Sequence, residues 1–179
     1  MNKFLTFILL TLSVSAFGQT ISDTAYSAFT GKLKSSLIPD AVFKKTNLKH
    51  LYIKGDDCDL KDDTECWMIY KIPSDIVNLQ KLETLSLPQN GIKYFPNEIA
   101  QLKDLKVIDM TDNNIVDISI LVSLANLEEL YLYGCNLREL PNDIGKLSKL
   151  KKLGLKGNPF KKGEIERIRH ELPNCQIIF

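Results

Sequence analysis

The sequence has little of the chemistry that most enzymes and metal proteins need. It contains 2 histidines, 1 tryptophan and 9 glycines among 179 residues. A zinc site takes about four nitrogen or sulfur ligands, and nothing in the chain groups His50 and His170 with the cysteines. A G-x-S-x-G nucleophile motif and a glycine-rich phosphate loop are also missing. The sequence therefore predicts a protein that is not an enzyme and that holds no metal and no cofactor.

Excess charge of either sign is missing as well. Lysine and arginine total 23 against 22 acidic residues, for a formal net charge of +1. Such a balance gives no long-range attraction toward nucleic acid or an anionic membrane. We therefore expect neither as a partner.

Long apolar runs are missing except at the N-terminus. Lys3 is followed by an uncharged run at residues 4–14, and Ala16 and Gly18 are small residues in cleavage-type positions. The run is too short to span a bilayer, which takes about 20 apolar residues. Residues 1–18 are therefore predicted to be a secretory signal peptide cleaved before Gln19. The mature protein is expected to be secreted or periplasmic, without membrane insertion.

The chain aligns with itself at intervals of 22 or 23 residues. The shared frame is L-x-x-L-x-L-x-x-N-x-L, and a first copy upstream opens it with Asp56 at the Asn position. Internal repeats of this length indicate a solenoid. The four full copies are Leu82, Leu85, Leu87, Asn90 and Ile92; Leu105, Ile108, Met110, Asn113 and Ile115; Leu127, Leu130, Leu132, Cys135 and Leu137; and Leu150, Leu153, Leu155, Asn158 and Phe160.

The second half of each unit also recurs. Three units place a proline after an apolar residue, at Ile72-Pro73, Phe95-Pro96 and Leu140-Pro141, with an isoleucine three residues beyond the proline. The 23-residue units resemble the x-L-P-x-x-I-x-x-L class of leucine-rich repeats. The proline-free unit of 22 residues is similar to the repeats of bacterial internalin-type proteins. The resemblance covers roughly residues 48–160.

The repeat frame has a direct physical reading. The last two leucines of L-x-x-L-x-L alternate as on a strand and turn inward, so stacked units build a parallel sheet over a continuous core. The fold class predicted is α/β: a leucine-rich repeat solenoid, or short horseshoe. Its parallel sheet lines the concave face, its convex segments are irregular or short helices, and a helix caps its C-terminus.

The ends of the array are expected to be covered. Residues 19–47 should form an N-terminal cap that includes a short helix, and residues 48–160 should hold about five repeats. Residues 161–179 should form a C-terminal cap, because Ile165, Ile168 and Leu172 share one helical face. Cys175 and Ile177 then continue the strand spacing, which predicts a terminal edge strand.

The first unit carries an insertion at residues 57–70. Cys58 and Cys66 both lie in it, and a disulfide between them would suit an exported protein and stabilise the loop by roughly 2–3 kcal/mol. Cys135 and Cys175 should be buried free thiols, about 10 Å apart by strand spacing and too far for a bridge.

The insertion is also acidic. A calcium loop needs several converging oxygen ligands, but the spacing here does not match an EF-hand. A solvated acidic loop is therefore preferred to a calcium site. Its acids are Asp56, Asp57, Asp59, Asp62, Asp63 and Glu65.

The outward strand positions define the candidate binding surface. Tyrosine combines apolar area with a polar tip and is favoured in interfaces, although tyrosines are also common on sheet surfaces and can mark nothing. The candidate partner-binding residues are Tyr52, Asp109, Thr111, Asp112, Tyr131 and Tyr133.

Together these features predict an exported, monomeric recognition module that binds a protein or peptide ligand on the concave face. The alternative is a structural or surface-adhesion component of the cell envelope that binds glycan or envelope proteins. A hydrolase with its site in the insertion or the N-terminal cap is a third hypothesis. Fold alone does not choose the ligand.

Overall fold

One sheet runs the length of the described chain, which in this computed structural model comprises residues 20–55 and 66–179. The signal-peptide prediction for residues 1–18 and its cleavage site before Gln19 lie outside these residues. The first two strands are antiparallel, and every later strand pairs in parallel with the one before it. The strands are β1 (Thr20–Ile21), β2 (Ala25–Phe29), β3 (His50–Lys54), β4 (Thr84–Ser86), β5 (Val107–Asp109), β6 (Glu129–Tyr131), β7 (Lys152–Gly154) and β8 (Gln176–Ile178).

The register of the sheet follows the repeat frame. Equivalent inward residues of successive units lie directly opposite one another, which confirms the alignment of the repeats. The predicted edge strand β8 is present, but its register differs from the prediction by two residues, because Ile177 and not Cys175 lies opposite Leu153. The matched inward residues are Tyr26, Leu51, Leu85, Ile108, Leu130, Leu153 and Ile177.

Short 3-10 helices form the convex side, as predicted. Three of them follow a proline, and in each the residue three positions on donates its N–H to the proline carbonyl, as Ile99 does to Pro96 at 3.1 Å. In the proline-free unit Asp117 accepts hydrogen bonds from the Ser119 N–H and hydroxyl at 2.8 and 2.6 Å and so begins the same turn. These helices are Ser74–Asn78, Asn97–Gln101, Ser119–Ser123 and Ile144–Lys146.

The N-terminal cap differs from the expectation of a short helix alone. Strand β2 extends the parallel sheet beyond the repeats and is followed by two single-turn helices, α1 (Thr30–Leu33) and α2 (Asp40–Phe43). Residues 25–29 read AYSAF and lack the leucine frame, so the repeat pattern does not predict this strand. At the other end, helix α3 (Lys162–Glu171) is the predicted cap and buries Ile168.

The core is a continuous column of leucine and isoleucine. Leu51, Leu85, Ile108, Leu130 and Leu153 are each 0% exposed. Each unit buries these side chains against its neighbours, and a buried leucine or isoleucine contributes about 1.5–3 kcal/mol. No unit has a core of its own, so the stability of the array depends on contacts between units.

Asparagine side chains connect three of the units to the unit before them, through Asn90, Asn113 and Asn158. The Asn113 side-chain amide donates to the carbonyls of Leu87, in the preceding unit, and Met110 at 2.8 and 3.0 Å. Its carbonyl oxygen accepts the Ile92 N–H at 3.0 Å. One side chain thus satisfies backbone groups that the turn after the strand would leave unpaired.

Cys135 takes the asparagine position of its unit. Its thiol contacts the Met110 carbonyl at 3.1 Å, in the place of one amide donor. Both Cys135 and Cys175 are free thiols. Burial raises the pKa of Cys135 to about 12 and that of Cys175 to about 11, so both stay protonated at neutral pH. Cys175 is only partly buried, which corrects the prediction of full burial, because it lies just before β8 and not at an inward position of that strand.

Most of the insertion lies outside the described residues, which exclude residues 56–65 and with them Cys58 and the acidic cluster. Where the described chain resumes, Ile69 is 0% exposed. Its N–H donates to the Asn90 side chain at 2.8 Å. Ile69 therefore takes the place in its unit that Ile92 and Leu137 take in theirs, so the insertion ends before residue 69 and not at residue 70 as predicted.

Replacing Asn113 with alanine should lower the free energy of unfolding by about 2–4 kcal/mol, because several buried backbone groups lose their partner. Chemical denaturation measures this. The matched control is Asn114→Ala at the exposed neighbouring position, which should change stability by less than about 0.5 kcal/mol. Equal losses in the two variants would contradict the role given to the Asn113 amide.

Candidate binding face

The strand register places the predicted outward residues in columns across the concave sheet. Tyr52 pairs with Ser86, Asp109 follows on β5, and Tyr131 pairs with Gly154. Thr84 and Ser86 on β4 form a shallow depression in the face, because their side chains are small and only 3% and 5% exposed. Larger side chains stand on both sides of this depression.

Two tyrosine rings form the C-terminal side of the face. Tyr131 and Tyr133 stack with ring centroids 5.9 Å apart and an interplanar angle of 24°. The expectation that both rings are exposed is wrong for Tyr131, which is 6% exposed. Its hydroxyl donates to Glu129 at 2.5 Å, and Lys152 pairs with the same carboxylate at 2.8 Å. Burial and the Glu129 carboxylate raise the pKa of Tyr131. Tyr133 is therefore the ring that a ligand can contact.

Asp109 lies beside the tyrosines at the centre of the face. One carboxylate oxygen accepts the Thr111 N–H at 3.0 Å and the Thr111 hydroxyl at 2.6 Å. The other oxygen accepts the Ser86 hydroxyl at 3.4 Å. Burial nevertheless raises the pKa of Asp109, and the nearby Asp112 adds to this rise. The centre of the face thus carries a negative charge that is held by neutral donors.

Asp112 borders the same cluster. Its backbone has a positive φ of 54°, and its N–H donates to the Tyr133 carbonyl at 2.7 Å. The side chain is exposed. The structure therefore brings together five of the six predicted residues: Asp109, Thr111, Asp112, Tyr131 and Tyr133.

Tyr52 is the sixth predicted residue and lies apart, on β3, three strands from Tyr131 or about 14 Å by strand spacing. It meets Phe29 edge-to-face, with ring centroids 6.4 Å apart. Phe29 is 42% exposed and belongs to this face. Sequence reasoning missed it because β2 carries no repeat signature.

Alternating charges line one edge of the sheet, at the residue before each strand. Glu83 bridges Lys49 and Lys106, both at 2.8 Å, and Lys151 pairs with Glu128 at 2.6 Å. Hydrogen bonds from the two lysines lower the pKa of Glu83 to about 2. The same-phase residues alternate in sign along the sequence, so this row could have been found there. These ion pairs join neighbouring units, and the charges that form them are already paired with one another.

A second hollow lies away from the concave face, near helix α3. Arg138, Lys161 and Glu164 are among the residues that line it. The Glu164 carboxylate is occupied, since it accepts the Leu140 N–H at 2.8 Å and pairs with Arg167 at 2.7 Å. This carboxylate is therefore used within the fold and is not available to a ligand.

The two histidines remain separate. His50 Nδ1 lies 3.1 Å from the Thr84 hydroxyl, and burial lowers the pKa of His50. The His170 side chain is 88% exposed on helix α3. Within residues 20–55 and 66–179, no group of three His, Cys, Asp or Glu residues is placed to hold a metal ion. The helices of that same part of the chain are all too short or too polar to cross a membrane.

The sequence profile of a family described as "Leucine-rich repeat region" matches residues 40–176. The chain belongs to the leucine-rich repeat family. The match begins in the N-terminal cap and ends at the first residue of strand β8, so the family signature covers strands β3 to β7 and leaves out β1 and β2.

Solved structures agree on the fold of this leucine-rich repeat protein. A leucine-rich repeat protein of Leptospira interrogans superposes with a TM-score of 0.67 at 30% identity, covering 80% of this chain and 34% of that one. An internalin of Listeria monocytogenes gives 0.61 at 19% identity, covering 86% and 46%. The ectodomain of the receptor kinase SOBIR1 of Arabidopsis thaliana gives 0.55 at 18% identity, covering 83% and 78%.

A sequence relative is much longer. An adenylate cyclase of Schizosaccharomyces pombe is 35% identical over 86 residues, which are 48% of this chain and 4% of the cyclase. The chain thus spans a small part of that enzyme and about a third of the Leptospira protein.

Replacing Asp109 with asparagine should raise the thermal midpoint at pH 7. In the folded state the pKa of the Asp109 carboxyl is raised above its ordinary value of 3.8. The folded state therefore binds a proton more readily than the unfolded state, and the charged carboxylate lowers stability at neutral pH. Stability from this group is therefore greatest below the ordinary aspartate pKa and is lost as pH rises through the raised value. Thermal melts should show the gap closing as the pH falls.

The control for this prediction is Asp104→Asn, which removes the same charge at an exposed position. It should leave the midpoint nearly unchanged at pH 7. An Asp109→Asn protein that melts well below the wild type at pH 7 would contradict the destabilising effect assigned to the charged Asp109 carboxylate.

Proposed function

We propose that this leucine-rich repeat chain is an exported recognition module that binds a protein or peptide ligand on its concave sheet, without catalysing a reaction. The observation that carries the proposal is the cluster at the C-terminal side of that face. There Tyr133 offers an aromatic surface next to the partly buried carboxylate of Asp109. Central aromatic residues beside desolvated polar groups are typical of binding hot spots.

The shape of the face supports a macromolecular ligand. Phe29 and Tyr52 on one side and Tyr133 on the other border the shallow depression formed by Thr84 and Ser86. A peptide or loop seated there would contact aromatic residues at both ends and Asp109 between them. The negative charge at the centre favours a basic or hydrogen-bond-donating group at the matching position of the ligand.

Proteins of the same fold support a binding role. A structure of the Toll–Spatzle complex of Drosophila superposes with a TM-score of 0.57 at 19% identity, covering 75% of this chain and 17% of that one. That structure is a complex with a protein ligand, and SOBIR1 is the ectodomain of a receptor kinase. At these identities the likeness shows the fold, and ligand binding by this chain is our proposal.

Export is part of the proposal. The N-terminal apolar run with Lys3 before it and Ala16 and Gly18 after it has the layout of a signal peptide. An oxidising compartment would allow Cys58 and Cys66 to pair. Such a bond would close a short loop within the insertion, shortly before the chain returns to the core at Ile69.

Replacing Tyr133 with alanine should weaken partner binding about tenfold or more, as expected for a central aromatic residue. Wild-type and variant proteins are immobilised and exposed to the native extracellular fraction, and bound proteins are quantified by mass spectrometry. Tyr133 is a cleaner probe than Tyr131, whose removal would leave Glu129 without its hydroxyl donor.

The matched control is Tyr94→Ala. Tyr94 is 61% exposed and lies outside the strands of the sheet, so its removal should leave capture unchanged. If Tyr133→Ala retains the same partners at the same level, the proposed face is wrong. Envelope association that neither substitution disturbs would favour the structural role instead.

The exported protein should begin at Gln19 and carry one disulfide, between Cys58 and Cys66. Mass spectrometry of non-reduced peptides from protein recovered outside the cytoplasm measures both. A free Cys58, or a peptide joining Cys135 to Cys175, would contradict the cysteine assignment. An intact N-terminal run in that fraction would contradict the cleavage.

A further inference from the structure

Gly154 lies on β7 directly beside Tyr131. It belongs to the column of outward residues that contains Ser86, Asp109 and Tyr131, and as a glycine it has no side chain. A Cβ atom built there would lie 2.3 Å from Cζ of Tyr133 and 2.7 Å from its Cε2 and hydroxyl. A real Cβ atom essentially never comes this close to an atom to which it is not bonded. The Tyr133 ring therefore rests on the backbone of β7, in space that any other residue at 154 would fill.

The backbone does not explain this glycine. Among the described residues, the glycines with positive φ are Gly134 and Gly157. The conformation at Gly154 is one that a residue with a side chain adopts without strain. The equivalent positions on the neighbouring strands carry serine, aspartate and tyrosine, in the order Ser86, Asp109 and Tyr131. What the position requires is space for the neighbouring ring.

Tyr133 is thus held from two sides. Tyr131 stacks against it at a centroid distance of 5.9 Å, and Gly154 supports its outer end. Tyrosine already loses little conformational entropy on binding, and a ring fixed in advance loses less. The ring keeps part of its surface exposed on the concave sheet, where the ligand is expected.

We propose that Gly154 is a positioning residue for ligand recognition, which fixes Tyr133 as a flat platform for a protein or peptide ligand. This inference rests on the proposed function of the concave face. A methyl group at position 154 would lift the ring off β7, turn it from its stack on Tyr131 and change the surface that the ligand meets. Because the ring is the end of a rotatable side chain, the sheet itself can remain folded.

The ligand-free test uses nuclear magnetic resonance of protein carrying 13C-labelled tyrosine. In the wild type the Gly154 α-protons lie under the Tyr133 ring, so they should resonate upfield and lose that shift in Tyr133→Ala. Gly154→Ala should move the Tyr133 ring resonances while the inward residues of β6 and β7 keep theirs. Unmoved Tyr133 resonances in Gly154→Ala would overturn the inference.

The binding test uses peptides selected from a phage-displayed library on the immobilised wild-type protein. Their dissociation constants are then measured with Gly154→Ala, Tyr133→Ala and the double variant. Gly154→Ala should weaken binding about tenfold, and it should have no further effect once Tyr133 is alanine. Gly163→Ala is the matched control, because a Cβ there meets nothing within 4 Å, and it should bind as the wild type.

The outcomes separate the two proposals. Peptides that bind Tyr133→Ala as tightly as the wild type would contradict the proposed face itself. Peptides that depend on Tyr133 but bind Gly154→Ala normally would leave the face intact and overturn the role of Gly154. A Gly154→Ala effect that persists in the Tyr133→Ala background would also overturn it, since the glycine would then act through something other than the ring.

Discussion

Burial of leucine and isoleucine between successive units is the interaction on which the whole structure depends. Residues such as Leu85, Ile108 and Leu130 lie opposite one another in register and have no solvent exposure. Because no unit buries its apolar face alone, each unit is stabilised by the contacts that it makes with its folded neighbours. The parallel sheet, and hence the position of every outward side chain on it, follows from this packing.

Polar contacts between units add to the register that apolar packing sets. Asn113 and its counterparts satisfy backbone groups at the turn after each strand, and the lysine–glutamate row at the sheet edge connects the same units from outside. The strands are thereby held in one register, which places Tyr131 beside Gly154. The candidate site is a product of that register, since its residues come from several units that are distant in sequence.

The sequence allowed most of the scaffold to be predicted, because inward leucines recur at a fixed period and depend on neighbours alone. The columns of the concave face follow from the same period. Strand β2 escaped prediction because it lacks the leucine frame, and Phe29 escaped with it. The burial of Tyr131 and the space over Gly154 also escaped, because they depend on side-chain directions between adjacent strands, which a one-dimensional pattern does not contain.

Site-specific photocrosslinking in the native cell tests the central claim most directly. A photoreactive phenylalanine analogue is placed at Tyr133, on the concave sheet, or at Val116, which is 58% exposed and lies outside the strands. Binding by the concave sheet predicts a discrete protein adduct from the Tyr133 position and none from the Val116 position. An adduct from Val116 with none from Tyr133 would contradict it.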